Sequence, residues 1–135
     1  MNIFYFNPNR TLTNLKSLNV ENNCLHALHP IAKLKNLQTL SAGKNNLGVA
    51  KKSPNNTQTQ QPQQNQPLPS LPTSLKQIQL SANKFDSIPK QIMSNSLTKL
   101  IKLDLSHNNI ASVPPLISTL SSLTELNLSH NVIPR

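Results

Sequence analysis

The sequence predicts an α/β solenoid: short parallel strands stacked along a concave face, with short helical or irregular segments on the convex face. Three observations lead there. The pattern Leu-x-x-Leu-x-Leu-x-x-Asn-x-Leu recurs five times, and every copy keeps Asn at its ninth position. The copies start at positions 15, 37, 75, 100 and 123. Three of the four steps therefore cluster closely, and a near-constant period of roughly two dozen residues marks a repeat architecture. Within each copy Leu-x-Leu alternates with period two, the mark of a strand with one apolar face.

Taken in order, residues 1–14 carry Phe4, Phe6 and Leu12 and read as a degenerate segment covering the first repeat. Residues 15–50 hold repeats one and two, through Leu15, Leu18, Val20, Asn23, Leu25 and then Leu37, Leu40, Ala42, Asn45, Leu47. The step from Leu37 to Leu75 is much longer than the others and contains KKSPNNTQTQQPQQNQ, running from Lys51 to Gln66. Removing that run leaves a step equal to the one from Leu15 to Leu37. The run has no apolar residue to bury, so a disordered Gln/Asn/Pro-rich insertion is expected over 51–70. A solenoid tolerates it, because loop-closure entropy grows slowly with length. Residues 71–135 hold repeats three to five, through Leu75, Ile78, Leu80, Asn83, Phe85; Leu100, Leu103, Leu105, Asn108, Ile110; and Leu123, Leu126, Leu128, Asn131, Ile133. Leu12, Leu34, Leu97 and Leu120 each lie three positions before a repeat, with Pro72 at the fifth such place, and are expected to close the outer wall of the core.

On these residues the chain resembles the leucine-rich-repeat family over about residues 12–135. Ile88-Pro89 and Val113-Pro114, each three positions after Phe85 or Ile110, are similar to the intracellular class of about 23 residues with a proline in its second half. The resemblance implies a right-handed solenoid. It also implies a cytoplasmic scaffold or signalling adaptor, of a class in which some members bind small GTPases or are fused to kinases or cyclases.

The recurring Asn23, Asn45, Asn83, Asn108 and Asn131 read as a structural column, because a buried amide can both donate to and accept from backbone groups that no strand ladder reaches. The residues between the leucines face outward on the concave side. From them Lys16, Asn19, Gln38, Ser41, Lys76, Gln79, Lys102, Asp104, Glu125 and Asn127 are the candidate partner-binding residues. This surface is polar, mixed in charge and free of aromatics, whereas binding hot spots favour Trp, Tyr and Arg. Five strands at about 4.8 Å spacing span only roughly 20 Å, so the face falls short of the ~800 Å² per partner of a standard interface. Flanking surfaces, or further repeats, must contribute.

Several functions are disfavoured by what is missing. Four acidic residues and two glycines supply little for carboxylate chemistry or a phosphate-cradling loop, and one cysteine makes no disulfide framework. No apolar run approaches the roughly 18 residues of a membrane helix. Ile3-Phe4-Tyr5-Phe6 is too short for a signal-peptide core, so no export is expected, and the lone thiol fits a reducing compartment. The net charge of +9 permits an anionic partner. The lysines are scattered, however, and the two arginines and 3% aromatics argue against nucleic acid. His107 and His130 hold equivalent turn positions and could stack, but two ligands make a poor metal site. His26 and His29 read as surface residues. Cys24 reads as a partly exposed incidental thiol, and Ser81, Ser106 and Ser129 as turn residues with no base to activate them. Ser53-Pro54 is a weak proline-directed phosphorylation pattern.

The fifth repeat runs from Leu123 to Arg135 with no return segment, so its leucines are expected to be poorly covered and the chain to be a fragment of a longer repeat protein. The function expected is a non-catalytic protein-interaction module, with no cofactor and no metal. The alternatives are a regulatory fragment of a larger signalling enzyme and a basic adaptor for RNA or anionic membrane.

Overall fold

The computed structural model describes residues 2–5, 12–29, 31–48, 68–94 and 96–134. Each Leu-x-Leu core becomes a short strand. Strands β2 (Ser17–Asn19), β4 (Thr39–Ser41), β5 (Gln77–Gln79), β6 (Lys102–Asp104) and β7 (Glu125–Asn127) form one five-stranded sheet in chain order. All four pairings are parallel, and the register aligns Leu18, Leu40, Ile78, Leu103 and Leu126. The long step changes nothing in that register: β4 meets β5 as β5 meets β6. A second, two-stranded parallel sheet joins β1 (Asn2–Tyr5) to β3 (Leu25–His29), so the backbone of residues 2–5 runs beside the outgoing segment of the first repeat.

The repeated apolar positions form one continuous core. Leu37, Leu75 and Leu100 are fully buried, as are Leu40, Leu80, Leu105, Leu47 and Ile110. Each such side chain contributes about 1.5–3 kcal/mol relative to exposure. Leu34, Leu97 and Leu120 close the outer wall, and Pro72 is buried with them. Leu12 does not share that role. It is 50% exposed, since no earlier turn among the described residues stands behind it. Of the segment expected to be an insertion, residues 51–67 lie outside the described residues. At its far end Leu68 is fully buried among the core leucines, so packing resumes ahead of Leu71.

The convex side carries two short 3-10 turns, Ile31–Lys33 and Pro115–Thr119, and no α-helix among the described residues. Ile31 buries completely, and so does Ile92 from the turn after Pro89. The two Ile/Val-Pro pairs differ: Ile88 and Pro89 are buried, but Val113 is 38% exposed. The same loosening is seen along the sheet, where Ile78 and Leu103 are 1% and 2% exposed and Leu126 is 39%. Leu126 belongs to the outermost strand, which has a neighbour on one side only.

Candidate partner-binding face

The sheet face is held by polar side chains at both ends of its strands. Past the strand ends, the residue before each column asparagine takes a left-handed conformation: Asn22, Lys44, Ala82, His107 and His130 have φ between 52° and 56°. This reverses the chain and turns the asparagine inward. Asn108 shows the resulting pattern. Its Oδ1 accepts the Phe85 N–H of the preceding repeat at 3.1 Å, and its Nδ2 donates to the carbonyls of Leu80, Leu105 and Ser106 at 3.0–3.1 Å. Asn45, Asn83 and Asn131 do the same in the second, third and fifth repeats, reaching Leu25, Leu47 and Ile110 respectively. Asn23 departs from the column. It is exposed, and among the described residues it bonds the Val20 and Glu21 carbonyls of its own turn, with no earlier repeat there to grip. At the strand starts, Asn36, Ser74 and Ser122 donate to the carbonyls of Thr13, Leu37 and Thr98.

On this frame the candidate residues take defined places. Lys16, Lys76, Lys102, Asn19, Gln79, Glu125 and Asn127 are exposed, Gln38 and Asp104 are half-buried, and Ser41 is buried. Gln77, Gln79, Lys102, Asp104, Thr124, Glu125 and Asn127 line one trough of about 590 Å³. Three of the candidates spend an oxygen on the fold: Asn19, Asp104 and Asn127 each accept the backbone N–H two positions on, from Glu21, Ser106 and Ser129. These are Asx-turns that start the chain reversal. Ser41, in the same column, instead donates to Gln79 Oε1 at 2.7 Å. Lys102 Nζ lies 2.7 Å from Glu125 Oε1, with both side chains roughly half exposed. An ion pair so open to water contributes little to stability. It cancels charge in the trough, leaving Asp104 as the carboxylate without a cation there.

His107 and His130 stack with ring centroids 4.1 Å apart and an interplanar angle of 10°. Parallel rings cannot both direct a lone pair at one ion, and among the described residues no group of three His, Cys, Asp or Glu is placed to hold a metal. Cys24 is exposed and unbonded to another sulfur. His26 is not the surface residue expected. It is half-buried in β3, and its Nδ1 is enclosed with no hydrogen-bond partner. The side chain of His29 lies outside the described residues. Sequence reasoning missed the Asx-turns and the serine and asparagine grips at the strand starts. An Asn or Asp two positions before a polar turn was the available signal for the former.

The same repeat pattern is found in known proteins. Residues 73–133 match the leucine-rich-repeat family model. The chain is 44% identical over 63 residues to osteomodulin of Bos taurus and 46% identical over 59 residues to Tsukushi of Mus musculus. It is 40% identical over 60 residues to adenylate cyclase of Schizosaccharomyces pombe. These matches cover 47%, 44% and 44% of this chain, but only 15%, 16% and 3% of the respective relatives.

Proposed function

Because this chain belongs to the leucine-rich-repeat family, we propose that it is a non-catalytic protein-interaction module, a scaffold or adaptor in cytoplasmic signalling. One observation carries this reading. A five-stranded sheet presents a mostly polar outward face, from Lys16 and Asn19 through Lys76 and Gln79 to Glu125 and Asn127. Repeat solenoids offer such extended surfaces to partners. The contact surface proposed includes Gln38, Lys102 and Asp104, with the buried Ser41 acting through its bond to Gln79. Exposed turn residues Glu21, Lys44, His107 and His130 extend the area. The exposed lone thiol of Cys24 fits a reducing compartment. No described helix is long and apolar enough to cross a membrane.

A photo-crosslinking amino acid placed at Gln79 tests the reading against the same probe at Ser112 on the other side. Partner capture at Gln79, abolished by Lys76→Glu, is the expected result. Equal capture at both places refutes use of the sheet face. A second reading, a regulatory repeat segment of a larger signalling enzyme, is favoured by the similarity to the adenylate cyclase. The proposed division is a cap over 1–14, repeats over 15–50, an insertion from 51, and repeats again to 135. Excision of residues 51–66 is expected to leave the thermal melt unchanged if that stretch lies outside the packed repeats.

A further inference from the structure

We propose that the lateral edge at which the strands begin is a docking surface for an anionic phospholipid membrane. Every repeat reaches the sheet through a tight turn, at residues 13–14, 35–36, 73–74, 98–99 and 121–122. The residues that follow are stacked by backbone bonds from Gln38 to Lys16, Lys76 to Gln38, Ile101 to Lys76 and Thr124 to Ile101, each 2.8–2.9 Å. Four exposed lysines stand on this edge, one in or just after each of the first four turns: Lys16, Lys35, Lys76 and Lys99. At about 4.8 Å per repeat they form a row roughly 14 Å long.

The row is uncompensated. The chain has four acidic side chains, and Glu125, the first residue of β7, is the one that stands at the strand starts, where Lys102 neutralises it. Glu21 and Asp86 are beyond the far ends of the strands, and Asp104 is at the end of β6. Among the described residues none of the four lysines meets a carboxylate. The edge also carries apolar side chains in water: Leu12 is 50% exposed, and Ile101, in the same stacked column as Lys16 and Lys76, is 37% exposed. Aliphatic groups between lysines, with no aromatic ring beside them, offer nucleic-acid bases no stacking platform. They do suit a headgroup layer, where cations meet anionic lipid and aliphatic side chains dip toward the acyl boundary. The edge shares Lys16 and Lys76 with the proposed protein-binding face, whereas Lys35 and Lys99 belong to the edge alone, so substitutions at these two test the membrane reading separately.

The test is co-sedimentation of the whole chain with vesicles of phosphatidylcholine alone or with about 30% phosphatidylserine, at about 0.1 M salt where screening is moderate. Partition into the anionic vesicles, falling as salt rises, is expected. Each lysine lost from the surface should lower it about fivefold, so Lys35→Gln with Lys99→Gln lowers it roughly 25-fold. The same charge change away from the edge, Lys84→Gln with Lys90→Gln, should lower it less than threefold. Lys35→Arg with Lys99→Arg retains binding and separates loss of charge from loss of fold. Equal partition into both vesicle types, or equal losses from the two Gln pairs, overturns the proposal. So does tighter binding to a single-stranded RNA oligonucleotide than to the anionic vesicles.

Discussion

Replacing Asn108 by alanine removes four hydrogen bonds from a side chain that is 5% exposed. The consequences are unequal. The Leu80 carbonyl keeps the Asn83 amide, the Leu105 carbonyl keeps the Asn131 amide, and the Ser106 carbonyl keeps the Ala82 N–H. The Phe85 N–H keeps nothing, because Asn108 Oδ1 is its partner. One buried donor left bare costs about 1–3 kcal/mol, and the weakened carbonyls bring the loss to roughly 2–4 kcal/mol. For a chain of this size that lowers the melting temperature by roughly 10 °C. Asn23→Ala is the matched control. Its side chain is exposed, and the Val20 carbonyl it touches also receives the Asn45 amide, so about 0.5 kcal/mol is expected. Thermal and urea melts followed by circular dichroism compare the two. If Asn108→Ala melts within about 2 °C of Asn23→Ala, then the inter-repeat bonds do not stabilise the fold.

Other substitutions probe separate features of the chain. Gly48→Ala should cost more than about 2 kcal/mol, because φ is +93° and a Cβ would stand 2.7 Å from the backbone of Lys84 and Phe85; denaturant midpoints measure it. Ala82→Gly should raise stability by up to ~1 kcal/mol, since alanine holds a φ of 52° that glycine adopts without steric cost. Leu103→Ala should cost about 2–5 kcal/mol, and Leu126→Ala, at 39% exposure against 2%, less than half as much in the same melts. Lys102→Gln should change stability by less than about 1 kcal/mol, with any loss disappearing as salt is added.

The solenoid was legible because its signal is one-dimensional: a leucine at a fixed offset is read from sequence and packs at the same offset in every turn. Register followed for the same reason, even across the long step between Leu37 and Leu75. What was not legible depends on neighbours. Leu12 and Leu34 hold the same repeat position, yet one is exposed and the other buried, because burial there requires a turn behind it. Asn23 looks like Asn108 in sequence, but among the described residues it has no earlier repeat of the kind that gives Asn108 its partners. At the candidate face, the outward positions were readable from period-two alternation. Their mutual commitments were not, because the Ser41–Gln79 and Lys102–Glu125 contacts join side chains far apart along the chain.

The asparagine column gives the molecule a direction. Each amide from Asn45 onward closes its own turn and also completes the turn before it, so each of the first four repeats depends on the one that follows for a hydrogen-bond acceptor. Unzipping therefore has an intrinsic polarity. Loss of the fifth repeat strips Ile110 of its acceptor, loss of the fourth strips Phe85, and opening propagates toward the N-terminal repeats one rung at a time. In amide hydrogen exchange this reads as protection that climbs from the fifth repeat back to the second. A pulling force applied at the C-terminal end would meet the solenoid as a series of separable rungs.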